Sequence, residues 1–78
     1  MLSMLRQRIK KLGAKILYFR KIRGLTQEQL AERVGITSKY LSRIETGNYP
    51  NCVSLSTLMI IADKLSVHTS ELLKDIED

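Results

Sequence analysis

One cysteine and one histidine leave this chain with little covalent or metal chemistry. Cys52 has no partner for an internal disulfide and reads as an ordinary loop or core residue. Cys52 and His68 together match no zinc-site spacing, so neither a metal nor another cofactor is expected. With a single histidine the chain cannot assemble a Ser/His/Asp constellation. It also offers no phosphate-cradling glycine loop and no paired-carboxylate site, so it does not read as an enzyme. Tryptophan is absent, proline occurs once, and no useful period-2 alternation appears, which excludes a strand-built domain. No apolar run approaches the roughly 20 residues of a membrane helix. The opening MLSMLRQRIKKL runs from apolar to basic, the reverse of a secretory signal, and a cytoplasmic location is expected.

Charge is present in quantity and unevenly placed. The 78 residues, enough for one domain, carry a formal net charge of +5. Arg6, Arg8, Lys10, Lys11, Lys15, Arg20, Lys21 and Arg23 stand in residues 1–25 without one acidic side chain. Asp63, Glu71, Asp75, Glu77 and Asp78 reverse the balance toward the other end. A basic face suits a polyanion, because neutralising phosphates releases counterions. Charge alone also fits a membrane-surface helix or a solvated face.

Helical spacing runs throughout. Leu2, Leu5, Ile9, Leu12, Ile16 and Phe19 step by three and four, which predicts one face of a helix reaching about Arg23, with Gly24 as its cap. Gly13 weakens its middle by up to ~1 kcal/mol relative to alanine. Thr26-Gln27-Glu28-Gln29 is a capping box that opens a second helix with Leu30, Ala31 and Val34 inward. Gly35 breaks it, and Thr37 caps a third with Leu41 and Ile44 inward, ended by Gly47. Asn48-Tyr49-Pro50-Asn51 reads as a loop. Ser54 caps a fourth helix with Leu55, Leu58, Ile61, Ala62 and Leu65 inward, and a fifth starts at His68 or Thr69 and carries Leu72 and Leu73. His68 is expected to serve as an N-cap. The expected architecture is an all-α, compact five-helix bundle.

Two short helices joined by a tight, glycine-containing turn are the composition cue for a DNA-binding helix-turn-helix. The run from Gly24 to Gly47, GLTQEQLAERVGITSKYLSRIETG, and the later Leu55, Leu58, Ile61, Ala62, Leu65 and Val67 resemble the Cro/C1-type domains of the Xre family in bacterial and phage repressors. The resemblance covers about residues 13–73, leaving 1–12 as an N-terminal extension of helix 1 and 74–78 as an acidic tail. It implies a lambda-repressor-like fold and a sequence-specific transcriptional regulator, a repressor, acting on double-stranded DNA. Intact polar residues on the third helix argue against a module that kept the fold but lost DNA, and the capped helices argue against a membrane-surface protein.

The resemblance also implies roles for particular residues. Thr26–Val34 becomes the positioning helix, presenting Gln27 to a backbone phosphate. Thr37–Thr46 becomes the recognition helix, whose Ser38, Lys39 and Arg43 reach base edges, with Thr37, Tyr40, Ser42 and Asn48 nearby on DNA. Lys39 and Arg43 suit guanine; contacts to phosphate alone would give affinity without sequence information. Arg20 and Glu45 occupy positions that commonly form an ion pair. Ser38 and Ser66 depart from the family, which often has glutamine and glycine there. A homodimer on a palindromic operator is expected, through Met59 and the unusually apolar Ile60, with Leu2, Leu5 and Ile9 as the rival surface.

Overall fold

The computed structural model describes residues 2–48 and 53–77. Among these the chain is helical without a strand: α1 (Leu2–Ile22), α2 (Gln27–Val34), α3 (Ser38–Thr46), α4 (Leu55–Lys64) and α5 (Thr69–Leu73). Most of the loop expected after Asn48, with Cys52, lies outside the described residues, as does Asp78. No helix of the described residues is long and apolar enough to cross a membrane.

Caps start the short helices where local chemistry dictates. The Thr26 hydroxyl accepts from the Gln29 N–H at 3.0 Å, while the Thr26 N–H donates to Gln29 Oε1 at 2.9 Å. Thr37 Oγ1 accepts from the Tyr40 N–H at 3.0 Å, and Ser54 Oγ from the Thr57 N–H at 3.3 Å. His68 stands at the N-cap of α5, but its ring makes no capping bond. Ser66 takes a left-handed conformation, φ 59°, after α4, the conformation for which glycine is usual.

The core is built from every helix: Ile16, Leu30, Leu41, Ile61, Leu65 and Leu72 are fully buried, with Ile44, Leu58, Ala31 and Ala62 around them. One residue expected inward is not. Leu55, the first residue of α4, is 64% exposed. Leu73 is also exposed, beside the buried Leu72. Leu2 and Leu5 face out too: at 1.5 Å per residue, 21 residues make a rod of about 31 Å, which outruns the bundle's shorter dimensions of 23 and 21 Å.

Gly13 has a packing role that its helix propensity concealed. A Cβ there would clash with the Ile44 carbonyl oxygen and stand 2.7 Å from that of Glu45. A Cβ on Gly47 would stand 2.6 Å from the Lys10 Cα. Backbone therefore rests on backbone where α1 crosses the end of α3, and this contact sets how closely α3 is held.

Candidate nucleic-acid interface

The turn between α2 and α3 is made by Gly35, Ile36 and Thr37. Gly35 adopts φ 87°, open to glycine at no steric cost, and its N–H and that of Ile36 both donate to the Ala31 carbonyl, at 2.8 and 3.0 Å. Thr37 then leaves in extended conformation and caps α3. Leu41 and Ile44 turn into the core and fix the inner face of α3.

A buried polar knot fixes the helix ends. Arg20 Nε donates to Glu45 Oε2 at 2.6 Å and Arg20 Nη2 to Glu45 Oε1 at 3.0 Å, a two-pronged ion pair with Arg20 5% and Glu45 7% exposed. Arg20 Nη1 donates to the Leu25 carbonyl at 2.8 Å, satisfying a third donor. Gln27 Nε2 donates to the same Glu45 Oε1 at 2.9 Å. One carboxylate thus joins α1, the start of α2 and the end of α3. Gln27 is half-buried as a result, leaving one amide hydrogen and the free N–H groups of the first turn of α2 for a ligand.

Outside this knot α3 is open. Lys39, Arg43 and Thr37 are exposed, and Ser38 and Ser42 are half-exposed on the same helix. Tyr40 packs against the core from its half-buried position, which sets it apart from these polar neighbours. Thr46 Oγ1 donates to the Ser42 and Arg43 carbonyls at 3.0 and 3.1 Å, and the exposed Asn48 reaches Thr46 Oγ1 at 3.5 Å. Met59 and Ile60 lie exposed on α4. Among the described residues no cluster of histidine, cysteine and carboxylates could hold a metal ion.

Two anchoring contacts were missed in the sequence. Arg23 Nε donates to the Leu65 carbonyl at 2.7 Å, tying the end of α1 to the end of α4 across 42 residues. The other is the Gln27 bond to Glu45. The only local signal for either was a polar side chain next to a helix end.

Residues 16–72 match the family model described as helix-turn-helix. An immunity repressor protein of Bacillus phage phi105 is 43% identical over 58 residues, 74% of this chain; the chain spans only 39% of that protein's length. The HTH-type transcriptional regulator YazB of Bacillus subtilis is 38% identical over 60 residues, covering 77% of this chain and 84% of that protein. The crystal structure of SinR, a master regulator for biofilm formation, in complex with DNA superposes with a TM-score of 0.73 at 33% identity. That superposition covers 81% of this chain and 98% of that one. The chain belongs to the helix-turn-helix family, in its Xre-type branch with the lambda-repressor-like fold. The two relatives are a repressor and a transcriptional regulator, and SinR is seen in complex with DNA.

Proposed function

We propose that this protein is a sequence-specific, double-stranded DNA-binding repressor of transcription that acts in the cytoplasm. It reads the major groove with α3, as a homodimer on a palindromic operator. The observation that carries the reading is the division of α3: Leu41, Ile44 and Glu45 anchor its inner side, while Lys39 and Arg43 stand exposed on the same helix. A major groove admits one helix, and a guanidinium or ammonium there meets guanine O6 and N7. Thr37, Ser38, Tyr40 and Ser42 line the approach, Asn48 extends it, and the first turn of α2 with Gln27 takes a phosphate. The phage repressor relative and the DNA complex of SinR support the ligand class.

Selection of bound duplexes from a random pool tests the reading by yielding a palindromic consensus. On that consensus Arg43→Ala and Lys39→Ala each lower affinity by about 1–3 kcal/mol and relax preference at a defined base. Gln27→Ala weakens binding to all sequences alike. Equal losses on selected and random DNA for Arg43→Ala reduce that side chain to a phosphate contact, and failure to enrich any sequence removes the reading.

A further inference from the structure

Three residues of α1 stand exposed where neither the core nor the DNA-binding reading uses them. Ala14, Tyr18 and Ile22 are four apart and so form one stripe along the helix, with Tyr18 59% and Ile22 53% exposed. Lys15 and Lys21, three residues either side of Tyr18, flank the stripe. It borders an open groove of about 320 Å³ lined by Lys11, Ala14, Lys15, Tyr18, Phe19 and Asp75. Tyr18 stands edge-on to the half-buried Phe19, with ring centroids 5.2 Å apart, which gives the groove an aromatic wall.

The earlier part of the same flank is already covered by this chain. From Asp75 at the groove, the chain turns back toward the start of α1 and away from Tyr18. Ile76, half-buried, and Glu77 line a second hollow with Met4, Gln7 and Arg8, and Glu77 Oε2 stands 3.6 Å from Arg8 Nη1. An acidic segment with an aliphatic side chain between its carboxylates is thus what this flank accepts. The stretch from Ala14 to Ile22 is left open.

We infer that the face of Ala14, Tyr18 and Ile22 is a docking surface for a partner protein that presents an acidic segment carrying aliphatic side chains. The aliphatic groups cover Tyr18 and Ile22, and the carboxylates meet Lys15 and Lys21. A nucleic acid fits less well, because Asp75 and the apolar stripe oppose a row of phosphates. At 3.6 residues per turn, Tyr18 lies about 140° around α1 from Gly13, where α1 meets α3. The face therefore points away from α3. A partner can hold it while α3 is on DNA, and this last point alone rests on the DNA-binding reading.

The test is fluorescence anisotropy with a labelled peptide that repeats the order aspartate, isoleucine, glutamate, against a counterpart with lysine at every acidic position. The acidic peptide binds saturably and the counterpart does not. Tyr18→Ala weakens binding roughly tenfold, as expected of an aromatic anchor at the centre of an interface. Tyr18→Phe, which keeps the ring, retains it, and Lys15→Glu weakens it and lowers its dependence on salt. No saturable binding at millimolar concentration overturns the inference, as does equal binding of the counterpart or full affinity in Tyr18→Ala. Release of the peptide by the selected duplex places it on α3 as a mimic of phosphate and also overturns the inference. Sedimentation in which Tyr18→Ala abolishes a wild-type dimer assigns the face to a second copy and overturns the partner. Wild type that binds the peptide but no duplex defeats the DNA-binding reading and leaves the docking surface standing.

Discussion

Glu45 receives three donors on one carboxylate, from Arg20 Nε, Arg20 Nη2 and Gln27 Nε2. Removing a partner from a buried pair strands the remaining charge in a medium that solvates it poorly, and such losses cost about 3–5 kcal/mol. Glu45→Ala is expected to lose stability on that scale, read as a lowered midpoint in a thermal melt. A midpoint equal to wild type would mean that solvent reaches Arg20 and that the knot contributes little. Arg20 and Glu45 are 25 residues apart, so no spacing rule joins them, and only the family resemblance pointed to the pair. Gln27 was harder to read: a first-turn residue of an exposed helix looks solvated until the fold brings α3 to it. Arg23 at the Leu65 carbonyl is the same kind of contact, set by tertiary placement alone.

At the scale of the helix, what could be read from sequence was what is local. Thr26, Thr37 and Ser54 each bond within three residues, so their caps follow from residue type and order. The 3-4 periodicity of α1 gave the right face at Leu12, Ile16 and Phe19, which pack on the core. Periodicity fixes a direction around the helix but not where along it the neighbouring helices stop. Leu2 and Leu5 are exposed for that reason. Gly13 shows the converse, a residue unfavourable to its own helix and required by the next. In an isolated helix Gly13→Ala stabilises by up to about 1 kcal/mol. Here the new Cβ meets the Ile44 and Glu45 carbonyls, and displacing α1 from α3 reverses the sign, for a net loss of about 1–3 kcal/mol. Urea titration gives the sign directly; a stabilised Gly13→Ala protein would mean that the crossing is looser than described.

For the molecule as a whole, the proposed dimer needs a surface that leaves α3 free. On α4, Leu55, Met59 and Ile60 are 64%, 53% and 43% exposed, and Leu55 and Met59 lie one turn apart. A two-fold contact there would bury them, since an isologous interface sets the same patch against itself. Leu55 strengthens this candidate beyond the two residues singled out in the sequence. The rival is Leu2, Leu5 and Ile9 on α1, of which Leu2 and Leu5 are exposed, with Met4 beside them, while Ile9 is half-buried. In sedimentation Ile60→Glu is expected to run as a monomer at concentrations where wild type runs as a dimer. Wild type that stays monomeric at high micromolar concentration refutes the dimer, and an Ile60→Glu dimer transfers the interface to the α1 surface.

The division of α3 bears on how such a protein can change over evolutionary time. Its inner residues and the crossing with α1 at Gly13 and Gly47 hold the fold, while Lys39 and Arg43 stand exposed. Exposed substitutions away from caps and buried bonds usually shift stability within about 0.5 kcal/mol. The outward positions can therefore drift without threatening the scaffold, and a descendant can acquire a new address on the genome while inheriting the same architecture unchanged.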